Sequence, residues 1–236
     1  MWLKKSFLVS LVVLLFVSMS TPQSQVNAEV TSDDPLAQLE DSVKFQLEKL
    51  VEVTDKKEKS RWVKRAEKQI QKGQVKIYST ELDFENAKVF TYKENDFHSV
   101  TIPVSSEKHH EISNVALHFL KPGKVESYSE ILIQKSEIDT FQTIAYINGE
   151  VTFNEVTDEM FYTAAEYFDS QDGAISTMGF SFSGFVKCLG LPSIVGWQLG
   201  NICAIACLTG VLCLPCLAVA LGMSTGAIAT CFYLNW

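Results

Sequence analysis

Apolar residues recur at three- and four-residue steps early in the chain: Leu36, Leu39, Val43, Leu47, Leu50 and Val51. That period predicts an amphipathic helix after Pro35, with Asp33 and Asp34 where acids favour a helix start. A second helical face follows in Trp62, Val63, Ala66 and Ile70, and Gly73 ends it. From Gln74 the period changes to two. The pairs and triplets Val75-Ile77, Val89-Thr91, Val100-Ile102-Val104 and Val115-Leu117-Phe119 predict strands, as do residues 128–133 and 141–147. Lys121-Pro122-Gly123-Lys124 and Asn148-Gly149 read as hairpin turns. The expected unit is one or two helices followed by an antiparallel meander of about six strands, an α+β domain. A short closing helix is expected over residues 159–168.

The flanks have different patterns. Residues 7–17 form an apolar run behind Lys4 and Lys5, and a polar stretch ending Val26-Asn27-Ala28 follows. This is the layout of a secretory signal, with cleavage expected between Ala28 and Glu29. Its partners would be the export machinery and signal peptidase. No cysteine follows the cut closely, so a lipid anchor at that point is not expected.

Charge divides the chain more sharply than hydropathy does. Residues 29–172 hold all 28 acids, 17 of the 20 bases and no cysteine, a net charge of -11. That acid excess argues against a nucleic-acid partner, because no cationic patch is expected to offset phosphate. Residues 173–236 hold one charge, Lys187, together with all six cysteines and nine of the twelve glycines. We divide the chain into a signal (1–28), an acidic α+β domain (29–172), a small polar linker with the expected processing region (173–187) and an apolar, cysteine-rich peptide (188–236).

The middle segment offers little catalytic chemistry. His109 and His110 are adjacent, so on a strand they would face opposite sides and not share a metal; they read as loop histidines. Glu130, Glu137 and Asp139 read as acids on a solvated sheet face rather than an acid/base pair. GxSxG, HExxH and phosphate-loop patterns are all absent. No enzyme, catalytic residue, cofactor or metal site is expected.

The tail carries the informative pattern. Cys203 and Cys207 lie one helical turn apart, Cys213 and Cys216 form a second close pair, and Cys188 and Cys231 flank them. An even count in an exported segment reads as a disulfide framework, and six cysteines allow 15 pairings among which the sequence does not choose. Three bridges would contribute about 2–4 kcal/mol each to so small a unit. A redox role for Cys213-Leu-Pro-Cys216 and a zinc site are weaker readings, because the pair sits inside an apolar run rather than at a helix start, and the two pairs stand too close together. Residues 202–221 are long enough to cross a bilayer, yet Gly210 and Pro215 would kink or break them, giving one span or a helical hairpin. Trp197, Tyr233 and Trp236 flank the run as membrane-interface aromatics do.

The series Gly200-Asn-Ile-Cys203-Ala-Ile-Ala-Cys207, Gly210-Val-Leu-Cys213, Cys216 and Cys231 resembles the cysteine pattern of halocin-type bacteriocins. The order of signal, acidic proregion and apolar cysteine-rich peptide is similar to that family, and to secreted toxins of the sporulation-delaying type. This tail is shorter than the family's long form and has fewer cysteines. The resemblance implies an antimicrobial precursor. A processing protease would release a small all-α, disulfide-rich peptide that acts on the target-cell lipid bilayer, and the middle domain would be a proregion, a chaperone or an immunity partner. The competing expectation is an intact extracytoplasmic binding domain held by a C-terminal membrane anchor.

Overall fold

The structure, a computed structural model, describes residues 50–92, 97–120, 123–170 and 190–208, with backbone alone at 50, 168–170 and 203–208. The expected signal with Ala28 and Glu29, the first predicted helix up to residue 49, the linker and the chain beyond residue 208 lie outside the described residues.

Helix α1, Lys56–Gln71, forms where the second apolar period predicts it. Asp55 caps its start, its carboxylate accepting the Glu58 N–H at 2.7 Å. Gly73, at φ +65°, ends it: the Gly73 N–H reaches the Ile70 carbonyl and the Gln74 N–H the Gln69 carbonyl. That pairing satisfies two otherwise orphaned carbonyls and needs a left-handed residue at Gly73.

Seven strands follow the chain in simple order and pair antiparallel throughout: β1 Leu50–Glu52, β2 Lys88–Tyr92, β3 His98–Pro103, β4 Asn114–Phe119, β5 Ser127–Lys135, β6 Thr140–Ile147 and β7 Glu150–Met160. The register places Val100 opposite Leu117 and Leu132 opposite Ile144. One face therefore carries Val89, Val100, Ile102, Leu117, Leu132 and Ile144, buried with Trp62 and Ala66 of α1. The opposite face carries Phe90, Ser99, Thr101, His118, Ile133 and Ala145, and these are buried as well. Helix α2, Ala164–Ser170, and helix α3, Ser193–Leu208, complete the described elements.

The α+β class and the antiparallel meander are as expected; several details differ. Leu50 and Val51 belong to a strand, not to the first helix: pairing with Tyr92 and Thr91 outweighs the helical period. Residues 75–77 form no strand. Instead the segment crosses the α1 face of the sheet and bonds to side chains, with the Lys76 N–H on the Tyr128 hydroxyl at 3.0 Å. Strand β7 was not expected because its alternation is weak and mostly polar. It is a largely exposed edge strand whose acids blunt edge pairing. Residues 159–160 finish β7 rather than start a helix, and α2 begins later. A Thr163–Glu166 capping box sets that start, with the Thr163 N–H on Glu166 at 2.7 Å and the Glu166 N–H on Thr163 at 3.2 Å.

Asn148 and Gly149, at φ 52° and 80°, make the β6–β7 turn, a conformation with two left-handed residues. A Cβ on Gly149 would lie 2.9 Å from the Tyr128 hydroxyl and 3.1 Å from the Lys76 Cβ. Gly149→Ala is expected to cost about 1–2 kcal/mol, read as a lower urea midpoint at unchanged slope.

The expectation of no cationic patch does not hold. Residues 56–76 carry nine of the chain's 20 bases against two acids, while residues 126–170 carry ten acids against one base. Whole-segment net charge averaged two opposite regions into one number.

Candidate functional site

The expected solvated carboxylates divide. Glu137 and Asp139 are exposed, but Glu130 is buried, 1 % accessible, on the α1 face of β5. Its two carboxylate oxygens accept the Tyr78 N–H at 2.8 Å and the Ser79 N–H at 2.7 Å. Glu130 therefore ties the 75–79 crossing to the sheet, and in that role it replaces the missing strand ladder.

His109 and His110 also have separate environments. His109 is half-buried and bridges to Gln134 of β5. His110 is fully buried; its Nδ1 accepts the Ile112 N–H at 3.4 Å and lies 3.6 Å from the Glu111 carboxylate. Among the described residues no group of three or more His, Cys, Asp or Glu side chains could hold a metal ion. His118 is fully buried too, its Nδ1 at 3.1 Å from the Ser99 hydroxyl. That serine–histidine contact is closed to solvent and offers no open face to a substrate in this conformation.

Burial pushes His110 down to about 4, against a smaller opposing pull from Glu111, and pushes His118 down to about 3. Both are neutral in the folded protein at pH 7, whereas in the unfolded chain they titrate near 6.5. Below about 6.5 the unfolded chain binds the protons first, so stability falls as the medium is acidified from about 6.5 towards 4. Each histidine is expected to contribute a slope of up to about 1.4 kcal/mol per pH unit in that window. Urea midpoints between pH 7 and 5 check this; a midpoint independent of pH there would contradict it.

The region that brings the cysteine-bearing segment to the domain is the underside of β6 and β7. Gly190, at φ +69°, lies against α2: an added Cβ would stand 3.2 Å from the Tyr167 ring and 3.3 Å from the Ala164 Cα. Around this point Phe141 packs on Phe161 and Tyr162 with ring centroids 5.0 Å apart in each case, and Tyr162 stacks on Tyr167 at 5.5 Å. Burial raises the Tyr162 phenol to about 12, so it stays protonated. His110 closes the group against Phe141 at 6.3 Å, and the Gly190 backbone acts on its ring.

Helix α3 follows. The Pro192 carbonyl accepts the N–H groups of Val195 and Gly196. The helix reads as apolar on all sides, yet it docks on one. Val195, Gln198, Leu199 and Ile202 recur at helical spacing, are buried with Leu191, and α3 packs against β6 and β7. Gln198 is the polar member of that face: its side-chain carbonyl accepts the Thr143 hydroxyl at 2.7 Å, and its amide donates to Glu155 at 3.4 Å. Thr143 and Glu155 sit opposite each other in the β6–β7 register, which aims both at one point on the helix. Ile194 and Trp197 stay on the outer side, Trp197 at 50 % exposure.

Of the expected site residues, Trp197 is thus half-exposed on α3. Cys203 and Cys207 fall on the last turns of that helix, with their side chains outside the described residues. Cys188, Cys213, Cys216, Cys231, Tyr233 and Trp236 also lie outside them. Among the described residues no helix is long and apolar enough to cross a membrane; α3 has 16 residues. The docking set of Thr143, Glu155 and Gln198 was not anticipated. Its one sequence signal is Gln198, a long polar side chain in an uncharged helical run. Comparison of the chain with protein-family profiles, curated proteins and solved structures finds no match.

Proposed function

We propose that the protein is an exported precursor of the bacteriocin or peptide-toxin kind, whose α+β domain carries a C-terminal apolar, cysteine-rich peptide to be released onto target-cell membranes. The docking of α3 supports this reading. An uncharged helix exposed to water would drive aggregation. Against β6 and β7 it buries Val195, Leu199 and Ile202, side chains worth about 1.5–3 kcal/mol each when fully buried. The contact has one polar latch, Thr143–Gln198–Glu155, and one apolar stripe. Such a surface holds a short helix without committing it permanently. The acidic strands around it supply the solubility that the peptide lacks.

The six cysteines take the role of a peptide staple in this reading. Intact-mass spectrometry of culture fluid and of washed membranes from an expressing strain, with and without reduction, tests it. The expected product is a released fragment of about 50–60 residues, lighter by six hydrogens than its reduced form, that kills susceptible cells. An intact chain beginning at Glu29, found only in membranes and bearing free thiols, would overturn it and leave an anchored binding domain.

A further inference from the structure

Helix α1 carries a row of bases that packing and folding do not explain. Lys57, Arg61, Lys64, Lys68 and Lys72 follow one another at steps of four, three, four and four, and all are exposed. They lie outside the stripe of Trp62, Ala66 and Gln69 that the helix buries on the sheet. Like charges at these spacings repel and weaken a helix. A solvated helix face that only needed solubility would mix signs, as Glu58 and Arg61 do at 3.4 Å. Among the described residues no ion pair engages Lys57, Lys64, Lys68 or Lys72. The row runs about 22 Å along the helix, in a protein whose residues 126–170 carry ten acids against one base.

We propose that this row is a docking surface for the anionic phospholipid headgroups of a bilayer. Its chemistry is that of a linear cation array: four charges on the helix and a fifth on its C-cap residue, with no large apolar side chain exposed on α1. The array cannot wedge into lipid as an amphipathic helix does, and it offers no exposed aromatic on which a base would stack. A charged planar surface engages the whole row at once, at about fivefold in partitioning per side chain at low salt. Docking through α1 would hold the domain against the membrane while the acidic strands stay in water. The inference takes from the proposed function only that the protein works at a bilayer.

The test uses the mature full chain and its K57E/K64E/K72E variant. These three changes turn the row into alternating signs, so that like charges no longer follow one another along it. Sedimentation with vesicles of phosphatidylcholine alone, and of phosphatidylcholine with 30 % phosphatidylglycerol, separates the two contributions. The wild type is expected to bind the anionic vesicles at least 30-fold more tightly than the neutral ones in 50 mM NaCl, with the difference gone in 500 mM NaCl. The variant is expected to lose about 100-fold on anionic vesicles, with neutral-vesicle binding unchanged and a cooperative thermal unfolding transition retained. Equal binding of both vesicle types by the wild type, or a variant that keeps the difference, overturns the inference. So does tighter row-dependent binding to a 20-nucleotide RNA than to the anionic vesicles. Loss of neutral-vesicle binding alone speaks against the membrane-active tail and leaves the α1 result standing.

Discussion

Replacing Glu130 by alanine is expected to destabilise the domain by about 3–5 kcal/mol. Its carboxylate makes two short bonds, to the N–H groups of Tyr78 and Ser79. Hydrogen bonds to a charged acceptor contribute about 1.5–3 kcal/mol each. In Glu130→Ala both donors stay where they are and lose their acceptor; no water column reaches a site this closed, so the desolvation penalty is felt in full. A domain of this size has roughly 5–15 kcal/mol in total. The melting temperature should therefore fall by about 10–15 °C. Glu130→Gln keeps one acceptor and turns its amide NH2, a donor, towards the other N–H, so about half of the loss is expected. Urea titrations of the three proteins decide it. A loss under 1 kcal/mol for the alanine variant would show that the 75–79 crossing is held by other contacts, Val75 and the Tyr128 hydroxyl first among them.

The second large effect is expected at the α3 dock. Leu199→Asp sets a carboxylate among Val195, Ile202 and the β6–β7 surface, 3 % accessible in the native packing. An unpaired charge there costs several kcal/mol, about 3–5 kcal/mol against docking. Glu155 lies near enough to Gln198 to add repulsion rather than relief. The rest of the domain has its own core around Trp62, Ala66 and strands β2 to β6, so the damage should be local. Amide hydrogen exchange on α3 is expected to accelerate more than 100-fold while α1 and β3–β5 keep their protection. Unchanged α3 exchange would mean that the helix does not depend on this face. A collapse of protection everywhere would mean that α3 is part of the domain's folding unit and not a passenger on it, which would count against its release as a separate peptide. Gln198→Leu is the milder companion: it removes the latch, leaves Thr143 without its acceptor, and should cost about 1 kcal/mol.

The local elements were largely legible. Helix α1 follows from its period, its Asp55 cap and its Gly73 stop, all short-range features. The strands at residues 98–103, 114–119 and 140–147 follow from alternation, and the Asn148-Gly149 turn from a dipeptide that readily takes two left-handed residues. What failed did so for particular physical reasons. Glu130 looks like any sheet acid, because nothing near it in sequence says that two N–H groups fifty residues earlier will arrive to bond it. Strand β7 was overlooked because an edge strand does not need a clean apolar face. Leu50 and Val51 continued a helical period, but the free edge of β2 offered hydrogen bonds that the period could not foresee. The basic row of α1 is visible in the sequence, and a net charge averaged over 144 residues hides it.

Composition alone separates an apolar N-terminal run, a charged middle segment and a cysteine-bearing end whose one charged side chain is Lys187. Composition decides such partitions because charge density and apolar content fix which segments can stand in water, whatever their neighbours. The sequence by itself also determined α1 and the antiparallel meander, since period, caps and turns act within a few residues. Only the tertiary structure decided that both sheet faces are buried, that Glu130 is a fastener, and that α3 lies on β6 and β7 through Thr143, Gln198 and Glu155. Those facts depend on contacts 43–55 residues apart. A side chain's chemistry says what it can bond to, but the fold alone says what comes within reach.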